Sequence, residues 1–191
     1  MDTEKHCTPV GTLVWPHLNT PRQYQGQGDF AYDTCIDFEG KPGEEVAAWL
    51  KKYALDLGKR KGAKVSLSSV LVDAMAKDDD GNTIELPGVT RVKFKVPNKM
   101  TSTGLWERKP AFVDPAGNPI RPEPMVGGGT KAKIYFEVYE WKHKAGMTLQ
   151  PVAIMIHNLC EYREKSESSF LDEALSISSD NGHSANHPAD F

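Results

Sequence analysis

Apolar and polar residues alternate with a period of two through residues 126–141, VGGGTKAKIYFEVYEW. This alternation places successive side chains on opposite sides of a β-strand, and its apolar set then faces a core. The core-facing set is Ala132, Ile134, Phe136 and Val138. The opposite face combines cations and aromatic rings with one acid: Lys131, Lys133, Tyr135, Glu137, Tyr139 and Trp141.

The same patterns predict further strands. They are Gly11–Trp15, Phe30–Phe38, Arg91–Val96, Ala111–Val113 and a final strand, Leu149–Tyr162, that is apolar on both faces. In Arg91–Val96, the side chains of Val92, Phe94 and Val96 face one way, and those of Arg91, Lys93 and Lys95 face the other. Residues 17–28 are rich in Asn, Pro, Gln and Gly, which predicts a loop.

One stretch has clear helical spacing, Glu44–Leu57. Its apolar stripe is Val46, Trp49, Leu50, Tyr53 and Leu57, and Gly58 is expected to end the helix. Residues 66–75 fit either a helix or a strand. About five unequal strands and one helix, without regular strand–helix alternation, predict an all-β fold with one helix, built as a small closed barrel.

Composition narrows the class of protein. The chain has 191 residues, 39% of them hydrophobic and 26% charged, which is typical of a packed domain. No apolar run approaches the roughly 20 residues that cross a bilayer, and the first residues lack a secretory signal. Three widely spaced cysteines, Cys7, Cys35 and Cys160, indicate thiols in a reducing cytoplasm.

The net charge of −3 is unevenly distributed. Residues 164–191 contain six acids and one lysine, a net −5, so residues 1–163 carry +2. A mildly basic body with an acidic end suits a protein that binds a polyanion, and equally an ordinary domain with a solubilising tail. We therefore expect two parts: a folded domain over 1–163 and a flexible tail over 164–191.

Catalytic and metal-binding motifs are incomplete. Gly127–Lys131 resembles a phosphate-binding loop, but Thr precedes Lys and a strand follows where a helix is needed. Asp78–Asn82 resembles a calcium loop but has its glycine at the fourth position, so a plain turn is expected. His157 and Cys160 fall on opposite faces of the predicted final strand. We therefore expect no enzyme activity, no metal site and no cofactor.

The remaining candidate site is a surface that combines positively charged and aromatic side chains. Lysines that meet phosphates and rings that stack on bases form the usual surface for single-stranded nucleic acid. The same residue types also suit two structural roles, since lysines protect sheet edges from aggregation and outer rings can lie under a loop or a dimer interface. The candidate contacts are Arg91, Lys93, Lys95, Trp106, Arg108, Lys109, Lys131, Lys133, Tyr135, Tyr139 and Trp141.

The order of motifs resembles a known family. Lys93-Phe94-Lys95 is followed by Val113-Asp114 with Gly117, then by Pro124–Lys131 with its three glycines, and then by Tyr139 and Trp141 before the basic turn Lys142–Gly146. The chain ends Ala-Asp-Phe. Over residues 90–162 and at the terminus, this is similar to the single-stranded-DNA-binding proteins of short-tailed, T-seven-like phages.

The resemblance implies an OB-fold, a five-stranded barrel with an early helix, and an acidic tail that ends in phenylalanine. It implies a homodimer in the cytoplasm of an infected bacterium that coats and anneals single-stranded DNA in replication, recombination and repair. The tail, with Asp180, Asp190 and Phe191, is expected to contact the phage DNA polymerase and primase-helicase. The alternatives are a structural β-barrel that acts by protein–protein contact and an RNA-binding OB module.

Overall fold

The structure, a computed structural model, describes residues 4–24, 27–102 and 104–162. One helix and eleven strands lie in this part of the chain. The helix is α1, Gly40–Lys61. The strands are β1 Lys5–Cys7, β2 Gly11–Tyr24, β3 Gln27–Glu39, β4 Leu71–Val72, β5 Met75–Lys77, β6 Thr83–Glu85, β7 Val89–Thr101, β8 Gly104–Trp106, β9 Ala111–Val113, β10 Lys131–Glu140 and β11 Met147–Asn158.

Five strands close into a barrel in the order β2-β3-β7-β11-β10. Most neighbours are antiparallel, but β7 and β11 run parallel where Leu149 pairs with Phe94. Pairing of Lys131 with Thr12 joins β10 back to β2 and closes the barrel. This strand order, with its single parallel pair, is the OB-fold, and the expected fold class is confirmed.

The barrel interior holds the apolar halves of the alternating strands. Val92, Phe94 and Val96 on β7 have no exposed surface, and the alternate set on β10 from Ala132 to Val138 is buried as well. Both strands obey the period of two because the pleat directs every second side chain inward. The same pleat directs Lys93, Lys95 and Tyr139 outward.

Helix α1 packs against the barrel core and is longer than the predicted Glu44–Leu57. Leu50 and Leu57 on its apolar stripe are fully buried. The helix continues through Gly58 to Lys61 and is capped by Gly62, whose left-handed φ of 63° suits a residue without a Cβ. Gly58 serves another purpose: a Cβ there would lie 2.9 Å from the carbonyl oxygen of Ala63, where the chain turns back.

The predicted loop over 17–28 is wrong, because β2 continues to Tyr24. The pairing of β2 with β3 shifts register between Val14 and His17, and again on either side of Arg22. The shift lets the chain pass Pro16 without using the amide hydrogen that proline lacks. Residues 66–75, for which the sequence fitted either a helix or a strand, contain the short strand β4. The final strand ends at Asn158, whereas the prediction extended it to Tyr162.

The expected turn at Asp78–Gly81 joins β5 to β6, and Gly81 N donates to Asp78 O at 3.0 Å. In the described residues, no helix is long and apolar enough to cross a membrane. The predicted tail, residues 164–191, lies outside the described residues.

Candidate nucleic-acid interface

A groove of about 580 Å³ opens on the outer face of the barrel, where β7, β8 and the meeting ends of β10 and β11 come together. We call it the aromatic groove. Five predicted contact residues line it: Lys93, Lys95, Trp106, Tyr139 and Trp141. The remaining lining residues are Ser69, Pro97, Thr148 and Gln150.

Strand pairing explains why residues far apart in sequence meet here. Tyr139 on β10 lies opposite Thr148 on β11. The neighbouring position, Leu149, pairs with Phe94, and this places Lys93 and Lys95 on the far side of β11 from Tyr139. Tyr139 is 45% exposed, so its ring stays accessible at the groove rim. The groove therefore has the lysines on its β7 wall and the rings of Tyr139 and Trp141 on the opposite wall.

Trp106 reaches the groove from the β7–β8 hairpin, and its neighbour Glu107 holds that hairpin in place. The Tyr32 hydroxyl donates a hydrogen bond to Glu107, and the Asn98 side-chain amide donates another at 3.1 Å. Burial, reinforced by the Glu107 carboxylate, raises the pKa of Tyr32 to about 12, so this hydroxyl remains a donor well into the alkaline range. Trp106 itself is 39% exposed.

The indole of Trp141 is also fixed. Its Nε1 donates to Thr148 Oγ1 at 2.8 Å, and its backbone N donates to Gly146 O at 2.9 Å. The ring lies so close to the Gly146 backbone that an added Cβ would come within 2.3 Å of Trp141 Cε3. A ring held on two sides loses little entropy when a flat partner stacks on it.

The β10–β11 turn adds positive charge beside the rings. Lys142, His143 and Lys144 line a second concavity of about 410 Å³ together with Tyr139 and Trp141. Sequence reasoning identified a basic turn here but left these residues out of the candidate set. The signal was present, since the turn directly follows a strand that carries Tyr139 and Trp141.

Arg91 does not present an exposed cation, and this corrects the expectation that it lines the surface with Lys93. It is 3% exposed, and its guanidinium donates to both carboxylate oxygens of Asp37 at 2.7 and 2.8 Å. A third hydrogen bond goes to Met75 O at 3.0 Å. These bonds stabilise the cation and raise the pKa of Arg91 despite its burial.

Arg108 and Lys109 are both engaged in ion pairs. Arg108 lies 2.9 Å from Glu137, which is buried on the outward-facing side of β10, and this contact lowers the pKa of that carboxyl. Lys109 pairs with Glu123 at 2.5 Å in a smaller cavity beside β9. Neither residue lines the aromatic groove, although Arg108 neutralises an acid on the same strand as Tyr139.

The remaining predicted residues share the outward face of β10 but lie nearer its beginning. Lys131 Nζ donates to Thr12 Oγ1 at 2.6 Å. Lys133 is half-buried and pairs across to Met155 on β11. Tyr135 lies opposite Cys7 of β1, and the neighbouring Cys7 thiol raises the pKa of Tyr135. These three residues are not brought into the aromatic groove.

Comparison with known proteins agrees with this architecture. No protein-family model and no curated protein sequence matches the chain. Among solved structures, gp2.5, a single-stranded DNA-binding protein encoded by bacteriophage T7, matches with a TM-score of 0.61 at 17% identity, over 97% of this chain and 100% of that one. The chain has the fold of phage single-stranded-DNA-binding proteins.

Two structures of the single-stranded DNA-binding protein of bacteriophage Enc34 share the fold as well. A C-terminally truncated form matches with a TM-score of 0.60 at 13% identity, covering 83% of this chain and 88% of that one. The complex with single-stranded DNA matches with a TM-score of 0.58 at 12% identity, covering 84% and 89%. The resemblance inferred from sequence is thus confirmed in the fold shared with these phage proteins.

The predicted partner contacts Asp180, Asp190 and Phe191 lie outside the described residues. Within the described ranges, no group of three or more His, Cys, Asp or Glu side chains is arranged to hold a metal ion.

Proposed function

We propose that this protein binds single-stranded DNA without sequence preference, using the aromatic groove, and catalyses no reaction. The observation that carries the proposal is the convergence of Lys93 and Lys95 with Trp106, Tyr139 and Trp141 in one open groove. These residues come from three strands and the turn after β10. Hydrogen bonds hold the Trp141 ring and the hairpin that carries Trp106.

The chemistry of the groove matches an unpaired strand better than a duplex. Ammonium groups bind phosphates, and exposed rings stack on unpaired bases. In a duplex the bases are stacked on each other and are not accessible to such rings. Every base has a π-face, so stacking does not select a sequence. The names of the solved neighbours, including a complex with single-stranded DNA, support the same ligand.

The biological role of this DNA binding is inferred from the resemblance to phage single-stranded-DNA-binding proteins. We propose that the protein is a phage homodimer that coats and anneals single strands in replication, recombination and repair inside the infected host cell. Residues 1–163 act as the DNA-binding domain and 164–191 as an acidic tail. With its net charge of −5, the tail competes with DNA for the basic surface and contacts the phage polymerase and primase-helicase.

Fluorescence anisotropy with labelled oligo-dT, duplex DNA and RNA of equal length tests the ligand. We expect tight binding to oligo-dT and much weaker binding to duplex. Equal or tighter binding to RNA would assign an RNA-binding OB module instead. A protein that binds none of the three acts by protein–protein contact, and the proposal is then wrong.

Variants locate the site. Trp106→Ala combined with Tyr139→Ala should weaken oligo-dT binding by about 2–6 kcal/mol, since each stacked base contributes about 1–3 kcal/mol. Tyr162→Ala is the matched control, because Tyr162 is 57% exposed but does not line the groove. Equal effects of the two changes would show that binding does not use the aromatic groove.

Deletion of residues 176–191 tests the tail. Oligo-dT affinity should stay the same or rise slightly at low salt, with the gain fading as salt screens the attraction. Stimulation of the cognate polymerase and helicase should be lost. A truncated protein that binds DNA identically at every salt concentration and still supports both enzymes would reduce the tail to a solubiliser.

A further inference from the structure

Trp15 has a backbone conformation that large residues rarely adopt. Its φ is +47°, and among the described residues it is the one non-glycine residue with a positive φ. It falls within the register shift of β2, between Val14 and His17. Such a conformation strains a bulky residue and persists only where surrounding structure enforces it, often at functional sites.

The indole remains 58% exposed although it belongs to a barrel strand. One side of the ring faces the Arg91 guanidinium, whose Cζ lies 4.8 Å from the ring centroid. Arg91 is itself held by Asp37 and by the carbonyl oxygen of Met75. The ring therefore rests on a fixed cation, as in a cation–π pair, while more than half of its surface faces solvent.

The contact with Arg91 places Trp15 on the same outer surface as the aromatic groove, because Arg91 shares the outward side of β7 with Lys93 and Lys95. Val14 pairs with Cys35, and Cys35 pairs with Lys93, so the three lie in one row across β2, β3 and β7. Neighbouring strands are about 4.8 Å apart, and β2 is therefore about 10 Å from β7. Lys93 also lines the groove on the other side of β7. Trp15 and the groove thus flank one lysine.

We propose that Trp15 is a further stacking platform, which holds a base of the same DNA strand on the far side of Lys93 from the aromatic groove. This inference depends on the proposed function and extends its binding path across β3. A phosphate bound at Lys93 would join a base in the groove to a base on Trp15. The Arg91–Asp37 pair supports one face of the indole, so that the opposite face stays exposed to solvent.

The arrangement indicates that the Trp15 ring binds a base, and does not serve to fill the core or to cover Arg91. A ring needed only to shield Arg91 would gain most from being buried, and an ordinary side chain at negative φ would avoid the strain. Met75 and Ile84 nearby are 37% and 43% exposed, so a small apolar patch for a protein partner is the competing use of this surface. The dependence of binding on oligonucleotide length separates the two uses.

Oligo-dT of increasing length, from about 4 to about 16 nucleotides, spans the usual range of site sizes for an OB-fold and tests the path. Trp15→Leu retains an apolar side chain without a π-face. Binding of the longest oligonucleotide should weaken about 5- to 150-fold, and binding of the shortest, which fills only the groove, should not change. Trp15→Phe should recover most of the loss.

Trp15→Gly guards against misfolding, because glycine adopts φ near +47° without strain and still removes the ring. Its length profile should match that of Trp15→Leu. Ultraviolet crosslinking of the wild-type protein to oligo-dT, followed by mass spectrometry, supplies a readout without a variant: the peptide that contains Trp15 should carry nucleotide.

The outcomes separate the two proposals. A wild-type protein that binds no oligonucleotide refutes the proposed function itself. If the wild type binds but both ring-free variants match it at every length, Trp15 does not stack, and its patch serves a protein partner. Equal weakening at all lengths also overturns the proposal, because Trp15 would then act only by shaping the groove. Absence of crosslinking at Trp15 contradicts it as well.

Discussion

The indole of Trp141 lies against the backbone of Gly146, and a Cβ added to Gly146 would meet Cε3 of the ring at 2.3 Å. The contact spans the turn between β10 and β11, and the hydrogen bond from Trp141 Nε1 to Thr148 fixes the ring from the other strand. The absence of a side chain at one residue thus decides the position of a ring in the aromatic groove.

Gly146→Ala should therefore displace the Trp141 ring. We expect oligo-dT binding to weaken by about 1–3 kcal/mol, the usual contribution of one stacked base. The free energy of unfolding should fall by about 1–3 kcal/mol, as for other overpacked sites. Anisotropy titration and urea unfolding measure the two effects.

Gly128→Ala is the matched control, because the nearest atom to its added Cβ is the carbonyl oxygen of Leu13 at 4.0 Å. It should change neither quantity appreciably. Binding that stays intact in Gly146→Ala would mean that the position of Trp141 does not matter for the ligand.

The lysines of the groove should account for part of the salt dependence. Each phosphate neutralised on a single strand contributes about −0.7 to the log–log slope of affinity against salt. Lys93→Gln and Lys95→Gln should each make the slope shallower by about that amount. Lys41→Gln, on an exposed lysine of α1 outside the groove lining, removes the same charge and should leave the slope nearly unchanged. A slope that all three changes reduce equally would indicate a response to net charge alone.

Arg108 and Lys109 are adjacent cations with different surroundings, and a paired substitution distinguishes them. Arg108→Met removes the ion-pair partner of the buried Glu137 carboxylate on the outward face of β10, where that carboxylate would then repel phosphate more strongly. Lys109→Met removes the same charge beside Glu123, away from that face. Oligo-dT binding should weaken several-fold more for Arg108→Met. Titrations in parallel buffers measure the difference, and equal losses would exclude a role for the Glu137 pair.

Stability should depend on pH through Glu140. Hydrogen bonds from Arg60 at 2.6 Å, and then from Tyr53 at 2.9 Å, lower the pKa of Glu140 below its ordinary value of 4.5. A lowered folded-state pKa contributes stability that is present above pH 4.5 and is lost as the pH falls through the folded value. Wild-type stability should therefore decrease more steeply below pH 4.5 than that of Glu140→Gln.

Urea midpoints between about pH 6 and about pH 3 measure this difference. Glu161→Gln, which also removes one carboxylate but at an exposed position near the end of the described chain, provides the comparison. If the stability of Glu140→Gln depends on pH in the same way as that of the wild type, the hydrogen bonds from α1 to Glu140 do not contribute to the loss of stability in acid.

Local patterns were sufficient to predict much of the groove. The period-two alternation from Lys131 to Trp141 and from Arg91 to Val96 correctly predicted which side chains leave the core, because the pleat of a strand is a local property. It therefore predicted that Lys93, Lys95 and Tyr139 point outward. It could not predict which outward side chains meet, because that depends on pairing between strands far apart in sequence, such as β7 and β11, which pair at Phe94 and Leu149.

What the sequence alone determined about this protein was the helix, the main strands of the barrel and the residue types of a surface suited to a nucleic-acid strand. The tertiary structure decided which of those residues remain available. It buried Arg91 against Asp37, 54 positions away, and paired Arg108 with Glu137. It also placed Trp15, which no local pattern singled out, on the cation that Asp37 holds. The physical reason is that burial and ion pairing depend on contacts that exist only once the barrel has closed.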